Sequence, residues 1–217
     1  MESIVKRNYL EILKTFFIAL VFLGIGSFIG INFIPLTLRY YLNIAFFILV
    51  LISAFTRRGG FVRNKVSMNI YAFILGILTG STYIYYFYNL GATLFISVVI
   101  GVILIFGLSY IIAANQKDEN IFKLGPIVTV GILVLLVLEF INIFFFKFGT
   151  FDLIISAIGI SIYSIYALII MKSVQNSCKF GLLSETEIVN FAFSIFISFL
   201  NLLVDLLRFV SILKNDN

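Results

Sequence analysis

Histidine and tryptophan are absent from this 217-residue sequence, cysteine occurs once and proline twice. Without histidine there is no His-ligated metal centre and no His-based acid–base dyad. The single Cys178 excludes an internal disulfide and a thiolate cluster. No GxGxxG occurs, nor GxxxxGK followed by Ser or Thr, so no loop of either type cradles a nucleotide phosphate. Charge is scarce as well: 12% of residues are charged and 62% hydrophobic, with a mean hydropathy of +1.16. Soluble domains run to about half apolar and about a quarter charged. A globule of this length could not hide so much apolar surface, and the same figures exclude a disordered chain.

What is present is a series of unbroken apolar blocks. A membrane β-barrel would instead alternate apolar and polar residues in segments of about 10. The expectation is an all-α membrane protein, a seven-transmembrane-helix bundle forming a single transmembrane domain over residues 1–217. A helix needs about 20 apolar residues to cross a bilayer. The blocks fall at about 15–34, 38–55, 68–88, 92–114, 127–146, 151–171 and 185–213. The first is too long for the core of a signal peptide, and no A-x-A site follows it. Gly91 separates the third block from the fourth, Gln116–Asn120 is the clearest interior loop, and Pro126 suits the first turn of the fifth span.

The net charge of +5 sits in the loops between blocks. That is a topology signal, and nucleic-acid binding is not expected. Eleven of the 15 Lys and Arg fall on the N-terminal side, with Arg57, Arg58, Arg63 and Lys65 the densest group. Only Arg39, Lys147, Arg208 and Lys214 fall on the other. The positive-inside rule therefore places the N-terminus in the cytoplasm. Seven full spans leave the C-terminus outside, whereas a re-entrant seventh would leave both ends inside. Two GxxxG pairs, Gly26 with Gly30 and Gly76 with Gly80, allow close helix approach. Packing within the bundle is the favoured reading over a dimer seam. Tyr40, Tyr41, Tyr83, Tyr85, Tyr86 and Tyr88 can form an interfacial belt in place of tryptophan.

The last block carries the most information. Glu187, Asn190, Ser194, Ser198, Asn201, Asp205 and Arg208 recur at steps of three and four. At ~100° per residue they occupy an arc of about 80°. A charged stripe facing lipid would cost several kcal/mol, so the stripe is expected to face other helices. Plainer roles account for part of it. Ser184 and Glu187 have capping-box spacing. Ser194 and Ser198 can bond carbonyls of the preceding turn. Asp205 and Arg208 can pair at i, i+3. Glu139 and Asn142 share a face of span five, and Asp152, Ser156, Gly159, Tyr163 and Ala167 share one of span six. Glu139, Asp152, Asp205 and Arg208 fall in the same outer half of the membrane. Three carboxyl groups beside one arginine form an unbalanced cluster, which is the case for a proton- or cation-sensitive site.

The closing segment from Ala192 to Arg208, AFSIFISFLNLLVDLLR, resembles the A-L-x-L-Y-L-D-x-x-N-L-F-x-x-L-L-R ending of the Bax inhibitor-1 (YccA-type, or TMBIM) family. Asn201 and the Leu-Leu-Arg ending fall in register. The Gln116–Asn120 loop before Leu124-Gly125, together with Gly131 and Asn142, is also similar. The resemblance implies seven helices with helix seven central between two three-helix layers. It also implies a pH-sensitive calcium leak governed by two aspartates, on helices six and seven. Here the sixth-helix motif, of the type Y-D-T-Q, reads Tyr166-Ala167-Leu168-Ile169, and the seventh-helix aspartate is Ser198. Both acids are missing from the matching positions.

The leading expectation is a pH-sensitive pathway for Ca²⁺ or another cation. Asp205 and Glu139 are the titrating groups and candidate weak Ca²⁺ ligands, Arg208 is their latch partner, and Asn201 and Ser198 are polar lining. Asp152 and Asn142 complete the candidate set. The alternative is a non-transporting protein that modulates a membrane protease or a stress response, as YccA-type relatives suggest. Enzymatic activity is not expected: there is no histidine, no GxSxG elbow and no Asp–Asp dyad. No cofactor is expected, the bilayer is the surrounding partner, and the location is an integral one, in a bacterial plasma membrane. Oligomeric state is open at this level.

Overall fold

A computed structural model describes residues 2–35, 37–38, 41–42, 62–144 and 149–215. Among these residues the chain is helical apart from short connections, without strands. The helices are α1 Glu2–Phe33, α2 Lys65–Leu90, α3 Ala92–Asn115, the short α4 Asp118–Phe122, α5 Gly125–Phe144, α6 Gly149–Lys179 and α7 Glu185–Asn215. Six spans among the described residues are long and apolar enough to cross a membrane. The span expected at 38–55 lies outside the described residues, apart from isolated positions at its start, so the count of seven is not reached here. Arg39, Tyr40, Arg57, Arg58 and Lys147 lie outside them too.

Several boundaries differ from the sequence expectation. The first helix starts at Glu2 rather than near residue 15. Lys6, Arg7, Glu11 and Lys14 end the apolar block but are good helix formers, so they extend the helix into a polar environment. The sixth runs on from residue 171 to Lys179. Its added turns are polar, and Lys172, Gln175 and Asn176 all have hydrogen-bond partners. The interior loop at 116–120 is shorter than expected, because Asp118 opens α4. Its two acidic residues stand in that first turn, where the helix dipole favours them.

The described chain packs as two compact units. The first comprises Met1–Ile84 and Cys178–Phe196. In it α1 and α2 meet through the two GxxxG pairs, as the within-bundle reading expected. A methyl group added at Gly26 or Gly30 would run into the backbone of Phe73 or Ile77. One at Gly76 or Gly80 would strike Leu23 or Ser27. Glycine is required because each backbone sits where the other's side chain would be. Tyr71 meets Phe193 edge-on at 5.0 Å, and Lys65 pairs with Glu11 at 2.9 Å. The capping box forms: Ser184 N–H donates to Glu187 Oε2 at 2.9 Å, and Glu187 N–H donates to Ser184 Oγ at 3.3 Å.

The second unit comprises Tyr85–Ser177 and Ile197–Asn217. Gly91 joins α2 to α3 in one residue. Its N–H completes the first helix and its carbonyl begins the second. Its φ of +81° is open to glycine and strained for other residues. Lys214 Nζ donates to the Asn89 carbonyl at 2.6 Å, so the end of α7 caps the end of α2. Buried Lys172 does the same for α3. Its Nζ donates to the carbonyls of Ala113 and Gln116 at 2.9 and 2.6 Å and pairs with Asp118 at 3.0 Å. Of the six spans α7 is the most enclosed, with 56% of its apolar window buried against 17–33% in the others. Of the expected stripe, Ser198 and Asp205 are buried and Ser194, Asn201 and Arg208 half-buried, whereas Glu187 and Asn190, in the first turns of α7, are exposed.

Candidate functional site

The second unit brings three of the expected site residues together. Arg208 lies one turn beyond Asp205 on α7, and Glu139 projects from α5. The Arg208 guanidinium stands 3.7 Å from Glu139 Oε1 and 4.0 Å from Asp205 Oδ1. Both separations exceed hydrogen-bond length, so these are charge contacts. The two carboxyl groups differ in setting: the Asp205 side chain is 6% exposed and that of Glu139 41%. The Glu139 contact is open to the surroundings and the Asp205 contact is enclosed. The cluster thus has an exposed edge and an enclosed edge, with the arginine between them.

Asp205 is accommodated by a glycine. A methyl group at Gly159 on α6 would coincide with the Asp205 carboxylate. The acidic side chain therefore lies directly against the α6 backbone. Tyr163, one turn further along that face, feels the charges of both Glu139 and Asp205. Tyr86, from the last turns of α2, lies within electrostatic reach of Arg208. Groups from α2, α5 and α7 thus face one another at the guanidinium, and α6 backs Asp205.

Tyr86 departs from the belt reading. Tyr41, Tyr85 and Tyr88 are exposed as that reading expected, whereas Tyr86 is buried. The sequence Tyr83-Ile84-Tyr85-Tyr86-Phe87-Tyr88 offers no way to single it out by composition. Its signal is helical register: Leu90, four residues on, is buried on the same face.

The remaining candidates are distributed around this centre. Asp152 begins α6, half-buried, and its charge reaches Tyr86. Ser156, one turn on, is fully buried and donates to the Asp152 carbonyl at 2.8 Å. Asn201 is half-buried on the α7 stripe. Ser198 is fully buried. Its hydroxyl has no hydrogen-bond partner among the described residues. The back-bond to the preceding turn expected for Ser198 is therefore not made. Asn142 lies in α5, but its side chain is outside the described residues.

Among the described residues no group of three or more His, Cys, Asp and Glu side chains could hold a metal ion. Glu139 and Asp205 alone supply too few oxygens for Ca²⁺, which takes about 6–8. The arrangement can hold a cation by charge, and the cation in place is the guanidinium of Arg208.

Long apolar helices with a charged cluster enclosed among them define a polytopic α-helical integral membrane protein, whose surroundings are a lipid bilayer. The family model Bax1-I, described as inhibitor of apoptosis-promoting Bax1, matches residues 6–216, and the chain belongs to the Bax inhibitor-1 family. The positions where the resemblance places the family's two aspartates, Ala167 and Ser198, are both fully buried.

Proposed function

We propose that this protein is a pH-sensitive leak pathway for Ca²⁺ or another cation, with its charged centre moved along the bundle from the family's usual place. The observation that carries this reading is the pair of carboxylates flanking Arg208, one enclosed and one exposed. An ion pair that needed only to stabilise the fold would be matched one to one. Here a second acid competes for the same guanidinium, and Asp152 adds charge at Tyr86. Protonating either acid removes one of Arg208's partners, and the bundle can respond by opening. Ser198 and Asn201 continue the polar face along α7 and serve as lining. The working arrangement is seven helices with α7 central between two three-helix layers, in a bacterial plasma membrane with the N-terminus cytoplasmic. The protein acts as a conduit, without enzymatic chemistry.

The test is Ca²⁺ and H⁺ flux in proteoliposomes of purified protein between about pH 6 and 8, beside Asp205→Asn and Glu139→Gln. The expected result is pH-dependent flux that changes in either variant. No flux above empty liposomes, from folded protein, would overturn the proposal.

A second reading is favoured by Ala167 and Ser198. A family member with neither aspartate has lost the groups that the resemblance ties to calcium. On this reading the protein transports nothing and modulates a membrane protease or a stress response. Reproducible crosslinking to one membrane protein, with no flux, is its signature.

A further inference from the structure

The connection between α6 and α7 presents its apolar side chains to the outside. Phe180 is 89% exposed, the highest value among the large apolar side chains of the described residues, and Leu182 is 60% exposed. A loop free to rearrange would tuck such groups away. This one is held in place. Asn8, buried on α1, donates to the Gly181 carbonyl at 2.6 Å and accepts from Leu183 N–H at 3.2 Å. One side-chain amide thus grips the loop on both sides of Leu182, and the turn at Gly181 has a φ of +146°.

Basic residues adjoin this contact in the sequence. Lys6 and Arg7 precede Asn8 on α1, Lys179 precedes Phe180, and all three are exposed. None of the three forms an ion pair among the described residues. The acidic residues nearby are turned to the chain itself. Glu185 accepts the Lys65 backbone N–H, and Glu187 is occupied by the capping box. Helix length sets the depth. The spans of α1 and α6 run 30 and 29 residues. At 1.5 Å per residue that is about 44 Å, the thickness of a bilayer with its headgroups. The ends of these helices therefore stand in the headgroup layer. Exposed apolar prongs on a loop held beside exposed Lys6, Arg7 and Lys179 match the chemistry of an anionic lipid surface.

We propose that Phe180 and Leu182 insert into the leaflet on the N-terminal side, and that Lys6, Arg7 and Lys179 bind anionic phospholipid headgroups there. The site anchors the α6–α7 connection and is separate from the Arg208 cluster. The absence of tryptophan gives a direct test. Phe180→Trp places the only indole of the protein at the tip of the loop. It is reconstituted in vesicles of phosphatidylcholine alone, or with phosphatidylglycerol, in which one lipid carries acyl bromines. The expected result is blue-shifted emission, quenched at least about twofold more by brominated phosphatidylglycerol than by brominated phosphatidylcholine at equal mole fraction. That preference disappears when Lys6, Arg7 and Lys179 are all changed to Gln. Leu182→Trp is expected to behave in the same way and serves as the independent reporter. Emission at the position of indole in water, with no bromine quenching, overturns the insertion and leaves a protein partner as the occupant. Equal quenching by the two lipids overturns the anionic site.

Discussion

Arg208 is the residue on which the charged centre turns. Two carboxylates face it at 3.7 and 4.0 Å, and Tyr86 lies within its electrostatic reach. Replacing it with Gln leaves Asp205 enclosed, pressed against the α6 backbone at Gly159, without its cation. A charge stranded in a dry site costs far more than a screened one. Arg208→Gln is therefore expected to lower the thermal midpoint in detergent. Asp205→Asn added to it removes the stranded charge and restores part of the loss. The coupling between the two changes should be about 1–2 kcal/mol, measured by a double-mutant cycle on unfolding. Additive effects would mean that Asp205 does not depend on Arg208. Glu139→Gln added to Arg208→Gln should restore less, because that carboxylate is not enclosed.

At the scale of helices, glycine pairs and buried caps decide the packing. Gly76→Ala drives a methyl group into the Leu23 backbone. Overpacking of this kind costs about 1–3 kcal/mol, so a lower thermal midpoint is expected, while Gly24→Ala, which meets open space, should be near neutral. Lys172→Met removes the donor that satisfies the Ala113 and Gln116 carbonyls. Leaving such acceptors unmet costs about 1–3 kcal/mol, and faster amide exchange should follow at the C-terminal turn of α3. The glycine seam was legible in the sequence because spacing alone places both glycines of a pair on one face. The α7 stripe, its capping box and the approach of Glu139 to Arg208 were legible for the same reason: charge in an apolar helix has few places to go. Lys172 was not. It sat just past an apolar block, where a lysine reads as a loop charge, and its partners are backbone carbonyls that no sequence pattern marks. Tyr86 was hidden among neighbouring tyrosines, and the empty hydrogen-bonding position of Ser198 depends on packing that side-chain type cannot reveal.

For the whole molecule, orientation decides which compartment the charged cluster faces. Lys65, at the start of α2, contacts Glu11 near the start of α1, so the N-terminal end of the chain and the start of α2 share a side. Tyr86 and Tyr88 stand at the opposite end of α2, and Tyr86 lies within electrostatic reach of Arg208. On the proposed orientation, with the N-terminus cytoplasmic, the cluster lies in the half of the bilayer away from the cytoplasm. Cysteine labelling can read this directly, because the one native cysteine, Cys178, is fully buried. An impermeant maleimide applied to intact cells should label Tyr88→Cys, whose parent side chain is 80% exposed. Lys6→Cys should label only after the membrane is opened. With that orientation the exposed edge of Glu139 meets the external solution, and a proteoliposome flux that depends on pH should respond to pH on the Tyr88 side alone. The reverse labelling pattern would turn the cluster toward the cytoplasm. On the proposed function the flux would still follow the pH on the Tyr88 side, which would then be the internal one, so flux identifies the side that acts and labelling identifies its compartment.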